Sequence, residues 1–233
     1  MLLEKPWRVE AVMLFCAGQL LFFCSGILTA ALLHKAGVNG FQHDGDFGNI
    51  LLATLSFQGA TWVLIPVLLR LQEIHWRDAF GLRKPNLLRA LGWAIAVLPV
   101  VLSLEYLYEI AVQKSGWQPN SQTAVELLMN APLWPTGIYL GFFAVVIAPV
   151  AEEFIFRGLL FPFVKQLGWP KLAWLGVSFL FALIHGAAAI FIPLFVLALV
   201  LTWLYEKTGN LLAPIVAHSL FNVANLIILI SQK

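Results

Sequence analysis

Charge is what this sequence has least of. Asp, Glu, Lys and Arg together make up 11% of its 233 residues, against 61% for hydrophobic types. Soluble domains carry about 25% charged residues, and a chain this poor in them cannot cover a surface that faces water. Lipid is the expected solvent. Cysteine is scarce too. Cys16 and Cys24 lie in an apolar run, form neither a disulfide framework nor a CxxC pair, and read as small hydrophobes on a helix. HExxH is absent, which excludes the zincin motif. No apolar run contains an Asp, so an aspartyl pair buried in the membrane is excluded as well. The net charge of +2 is too small to point to nucleic acid as a partner. Repeats, low-complexity tracts and a separate soluble domain are also missing.

What is present is a series of long apolar runs. A hydrocarbon core of about 30 Å needs about 20 helical residues. Seven segments reach or approach that length: Val9–Leu33, Ile50–Leu69, Ala90–Ala111, Thr136–Val164, Leu172–His185, Ala189–Tyr205 and Leu211–Ile230. The expected fold is therefore all-α, a polytopic transmembrane helical bundle of about seven spans. The first run is longer than a signal-peptide core of about 7–15 residues, so it reads as an uncleaved span. The fifth and sixth are short and separated only by Gly186–Ala189, which suits one bent element or two helices meeting inside the membrane. Gly37–Asn49 reads as a polar loop in which Asp44 and Asp46 make a turn rather than a cation site. Asn120–Leu133 is expected to lie flat at the interface, with Ser121 as N-cap and Trp134 as anchor.

Basic residues orient the bundle. With seven spans and a cytoplasmic N-terminus, the inner side holds Lys5, Arg8, Arg70, Arg77, Arg83, Lys84, Arg89, Lys165, Lys171 and Lys207. The outer side holds Lys35, Lys114 and Lys233, with Arg157 counted inside the membrane. Ten against three is a positive-inside bias and puts the C-terminus outside. The expected location is an integral, multi-pass membrane protein, in the plasma membrane if the source is bacterial.

Against this apolar background a few polar residues stand out. Ionisable side chains inside a span cost several kcal/mol, so they face protein and usually carry function. The fourth run contains Glu152, Glu153 and Arg157. Glu153 and Arg157 are one turn apart and can pair, whereas Glu152 is rotated by about 100° and cannot share that geometry equally. One carboxylate is then neutralised and the other is free for chemistry. His185 ends the fifth run, and His218 and Asn222 lie one turn apart on the seventh, with Asn225 extending that face. Each of these alone would read as helix-packing glue. Glu105 and Glu109, toward the end of the third run, read as reaching the interface and solvated.

Depth ties the set together. At about 1.5 Å per residue from the basic edges, Glu152 lies about 20 Å deep, His185 about 21 Å, His218 about 12 Å and Asn222 about 18 Å. Three helices thus bring polar side chains to the middle of the bilayer. Such a set can hydrolyse an amide without a protein nucleophile: Glu152 and His185 activate water, and His218 and Asn222 stabilise the oxyanion. In an alternative reading, Glu152, His185 and His218 ligate one zinc ion that leaves a position for water. The residue types leave both readings open.

In their order and spacing, Glu152-Glu153 with Arg157, Phe181 with His185, and His218 with Asn222 resemble the CPBP family of intramembrane proteases, the CAAX- and bacteriocin-processing enzymes also called Abi. The resemblance covers about residues 136–230 and implies a protease core there, with residues 1–135 supplying N-terminal transmembrane helices and connecting loops. It implies Glu152 as base with His185, His218 and Asn222 at the oxyanion, and Glu153–Arg157 as a structural ion pair. It also implies a glutamate-type or zinc metalloendopeptidase acting on a membrane-associated protein or peptide. Whether zinc is used is left open.

Three rival readings employ fewer of these residues. A rhomboid-type serine site at Ser178 leaves the Glu pair and Asn222 without a role, and Ser178 reads as a packing residue. A transporter would show acidic groups spread along a path. A catalytically silent partner-binding or immunity protein would not need the complete polar set.

Overall fold

The computed structural model describes residues 7–43, 46–82, 87–117 and 137–231. The expected interfacial segment Asn120–Leu133, with Ser121 and Trp134, lies outside the described residues, as does Asp44. Among the described residues there is no strand, and the chain forms a polytopic helical bundle.

Among the described residues seven main helices follow one another: α1 (Val9–Lys35), α2 (Phe47–Gln72), α3 (Leu87–Ser115), α4 (Ile138–Gln166), α5 (Pro170–Ile184), α6 (Ala188–Thr208) and α7 (Leu212–Ser231). Six are long and apolar enough to cross a membrane. The seventh, α5, has 15 residues. That is about 22 Å, short of the hydrocarbon thickness of about 30 Å. It stops at His185, where Gly186 takes φ +67° and Ala187 is extended before α6 begins. The fifth and sixth apolar runs are therefore two helices, broken at the residue that carries the imidazole.

Large apolar side chains on the outside confirm which solvent the bundle expects. Met13, Leu14, Leu20, Leu21, Ile27 and Leu28 of α1 are all exposed, a contiguous apolar face that a soluble protein would not carry. Cys16 and Cys24 are free and exposed on the same helix. α4 is the central element and packs against α2, α5, α6 and α7, while α3 lies along α6 and α7. An aromatic chain joins the N-terminal half to α4. Phe154 meets Trp62 at 6.0 Å, Trp76 at 5.5 Å and Phe80 at 4.6 Å, and Phe80 meets Trp7 at 6.4 Å. The Gln166 amide then clasps the backbone of Trp7, accepting its N–H and donating to its carbonyl.

Outside the spans, the Asp46 carboxylate accepts the backbone N–H groups of His43 (3.0 Å) and Gln42 (2.7 Å). Those donors, that of His43 foremost, hold its carboxyl below the usual carboxylate range. The segment is a turn closed on itself.

One backbone crossing fixes how the α2–α3 connection meets the α6–α7 turn. Leu211 N–H donates to Phe80 O at 3.0 Å, and a Cβ on Gly81 would lie 1.8 Å from Gly209 O. Gly81 (φ +66°) and Gly168 (φ +88°) are both left-handed, yet nothing lies within 4 Å of a Cβ on Gly168. Alanine at either position costs about 1–2 kcal/mol for the backbone alone. Gly81→Ala should therefore lower the thermal midpoint of the solubilised protein much further than Gly168→Ala. Equal losses would show that the crossing contributes nothing.

Candidate active site

The site is built on an α4 that is not a regular helix. Residues Ala148–Glu153 are α-helical, but Phe143–Ile147 before them and Phe154–Leu160 after them are wound as π turns. π bulges widen the ladder and are frequent at functional sites. Proline explains the first. Ala148 N–H bonds to Phe143 O, five residues back, so the next donor in that series would be residue 149, reaching Ala144 O. Residue 149 is proline and has no N–H. The Asn222 side chain supplies the missing donor, with Nδ2 2.8 Å from Ala144 O. Asn222 is thus tied to α4 across 78 residues of sequence by the hydrogen bond that a proline leaves unmade.

One helical turn further along α4, four side chains form a connected cluster. Arg157 Nη1 donates to Glu153 Oε1 at 2.8 Å, and both side chains are fully buried. Arg157 Nη2 reaches Ala198 O on α6 at 3.0 Å. His218 Nδ1 donates to the same Glu153 oxygen at 3.0 Å, while its Nε2 faces Glu152 Oε2 at 3.9 Å. Glu153 therefore has two charge-assisted partners at bonding distance. Glu152, 8% exposed, has an imidazole nitrogen nearby but outside hydrogen-bond range.

Phe181 connects this cluster to His185. The Arg157 guanidinium lies 4.6 Å from its ring centroid, and the rings of His218 and His185 lie 5.6 Å and 4.9 Å away. His185 Nδ1 is 2.7 Å from Phe181 O. A carbonyl only accepts, so Nδ1 carries the hydrogen, and in the neutral ring Nε2 presents a lone pair. Phe181 lies four residues before His185 in the sequence, but its part as the contact between guanidinium and both imidazoles is visible only in the packing.

The sequence-predicted residues are thus placed in two sets. Glu152, Glu153, Arg157 and His218 are in direct register, while His185 joins through Phe181 and Asn222 sits one turn from His218 on the Ala144 carbonyl. The zinc reading needs Glu152, His185 and His218 to converge. Among the described residues no three His, Cys, Asp or Glu side chains are grouped to hold a metal, and both ring nitrogens of His218 face carboxylates. In this arrangement the three do not form a ligand set.

Ser178 is fully buried with Oγ 3.5 Å from Thr202 Oγ1, joining α5 to α6 as a packing residue does. Glu109 is exposed, as expected for a solvated side chain. Glu105 is not: it is half-buried, and each of its oxygens lies 3.3 Å from Asn225 Nδ2 on α7. α3 runs on to Ser115, ten residues beyond Glu105, so this carboxylate lies farther from the helix end than the apolar run alone implies.

Residues 132–224 match the family described as type II CAAX prenyl endopeptidase Rce1-like. The resemblance to the CPBP family stands. The matched stretch holds Glu152, Glu153, Arg157, Phe181, His185, His218 and Asn222. Two named relatives accompany it. UPF0177 protein YxdF of Lactococcus lactis subsp. lactis (strain IL1403) is 29% identical over 140 residues, covering 58% of this chain and 75% of that protein. YdiL of Bacillus subtilis (strain 168), whose name describes it provisionally as a membrane peptidase, is 24% identical over 207 residues, covering 85% and 80%. No solved structure matches the chain. At the level of the CPBP family, these likenesses support a CAAX-type intramembrane protease in a multi-pass membrane protein.

Proposed function

We propose that this chain hydrolyses a peptide bond of a membrane-associated protein or peptide with a water activated by Glu152. The observation that carries this reading is the unequal treatment of two adjacent carboxylates. Glu153 is bonded by Arg157 and His218, whereas Glu152 keeps its oxygens outside bonding range of His218 Nε2. Both ring nitrogens of His218 face carboxylate oxygens, Nδ1 that of Glu153 and Nε2 that of Glu152.

The reaction follows from these positions. Glu152 takes a proton from water as its oxygen adds to the scissile carbonyl carbon. His185 Nε2, whose lone pair is left free when Nδ1–H donates to Phe181 O, accepts the other hydrogen of that water and holds it in place. His218 Nε2–H and the second Nδ2 hydrogen of Asn222 donate to the oxyanion. The C–N bond then breaks, and the proton on Glu152 passes to the departing amine. Asn222 is pre-oriented for this by its bond to Ala144 O. Residues 136–230 carry the reaction, and the N-terminal helices α2 and α3 pack against this part. The ten-to-three distribution of basic residues supports a cytoplasmic N-terminus.

The test is cleavage of a library of transmembrane peptides by the purified protein in lipid nanodiscs, with and without a zinc chelator. Cleavage indifferent to chelator is expected. Loss on chelation with recovery on added zinc would replace this mechanism with a metal-activated water. No cleavage by a demonstrably folded preparation would favour the silent, partner-binding reading.

A further inference from the structure

Glu105 has no explanation in the chemistry above. It is the nineteenth residue of α3, about 27 Å from Leu87 and about 15 Å from Ser115 along the axis. Its neighbours Leu104, Tyr106 and Leu107 are exposed. Glu105 itself is half-buried and turned toward α7. A carboxylate at this depth needs a partner. Two other carboxylates have cations beside them: Glu153 has Arg157, and Glu206 has Lys165. Glu105 has one neutral amide, whose Nδ2 is shared between its two oxygens at 3.3 Å each. A carboxylate offers about four acceptor sites. One shared, long hydrogen bond leaves most of them open and none of the charge balanced. Among the described residues no cation pairs with it.

Its placement relative to the catalytic cluster is equally specific. His218, Asn222 and Asn225 are at i, i+4 and i+7 on α7, one stripe over two turns. All three face partners in the bundle: Glu153 and Glu152, Ala144 O, and Glu105. From His218 to Asn225 the axial advance is about 10 Å. An extended peptide advances about 3.3 Å per residue, so a substrate lying along the stripe would bring to Glu105 a side chain about three residues from the scissile bond.

We propose that Glu105, oriented by Asn225, is a specificity site that receives a lysine or arginine of the substrate about three residues from the cleaved bond. This assignment rests on the hydrolytic reading of the neighbouring cluster. A cationic side chain supplies both missing things, charge and donors, and a charge-assisted hydrogen bond shielded from water is stronger than a neutral one. An apolar side chain at the same place would leave Glu105 as it is and gain nothing there.

The experiment measures binding and cleavage separately. Host transmembrane peptides are made in pairs, with one lysine or one norleucine moved position by position along the segment. Their dissociation constants are measured on Glu152→Gln protein in nanodiscs, with Glu105 intact or replaced by glutamine. Glutamine keeps the shape and still accepts from Asn225. With Glu105 present, lysine at one position should bind about tenfold tighter than norleucine, and Glu105→Gln should abolish that difference. The assignment is overturned by a lysine advantage that survives Glu105→Gln. It is also overturned if no position shows an advantage with Glu105 present, a comparison that needs no folded Glu105 variant. Cleavage of the same peptides by protein with Glu152 intact is the second readout. Lysine-dependent binding without cleavage would end the hydrolytic reading and leave the cation site standing. Cleavage without any dependence on lysine would end the cation site alone.

Discussion

Glu152→Gln should reduce peptide cleavage by about 10²–10⁴-fold, the contribution of a positioned general base, while the protein accumulates, inserts and melts close to wild type. The two halves of that expectation have separate causes. Glutamine occupies nearly the same volume and stays polar, so the helix packing around residue 152 is preserved. Glu152 also makes no ion pair at bonding distance that would be lost, since His218 Nε2 is 3.9 Å away. What disappears is the only carboxylate of the cluster free to take a proton from water. Single-turnover cleavage of a transmembrane peptide, beside a thermal melt of the same preparation, measures both. Wild-type rates in Glu152→Gln would remove Glu152 from the mechanism. Low rates accompanied by a collapsed melt would move it to the structural set with Glu153.

Arg157→Ala should do the opposite and destroy the fold first. Its guanidinium makes an ion pair with Glu153 at 2.8 Å, a hydrogen bond to Ala198 O at 3.0 Å and a face contact with Phe181 at 4.6 Å, with no exposure to solvent. Removing it leaves Glu153 buried and short of its cation, the situation that costs about 3–5 kcal/mol. Against a total stability of about 5–15 kcal/mol, a large fraction of the chain would fail to fold. The companion double variant Glu153→Leu/Arg157→Met removes both charges and restores apolar volume, so it should be more stable than Arg157→Ala alone. Both cleave poorly, because His218 loses the oxygen on which its Nδ1 rests or the charge that steadies it. Thermal midpoints of the three proteins check this. A double variant less stable than Arg157→Ala would mean that the pair stabilises the bundle beyond compensating its own burial.

The division between what could be read and what could not follows the range of the interactions. Lipid as solvent and a polytopic helical bundle were legible in run lengths, since a helix must satisfy its own backbone wherever water is absent; that one of the seven apolar runs makes a helix too short to cross was not. Glu153 with Arg157 was legible because residues four apart on a helix are neighbours whatever surrounds them. Placing Glu152, His185, His218 and Asn222 at similar depth needed only the rise per residue. The sequence also contained Pro149, but a missing N–H says nothing about which distant side chain replaces it. That Asn222 does so, that His218 rests on Glu153, that Phe181 stands between Arg157 and both imidazoles, and that Glu105 turns inward to Asn225 depend on how α3, α4, α5 and α7 are rotated and registered. Those angles come from packing between residues up to 120 positions apart. Periodicity within a helix sets which residues share a face, and only the assembled bundle decides what that face meets.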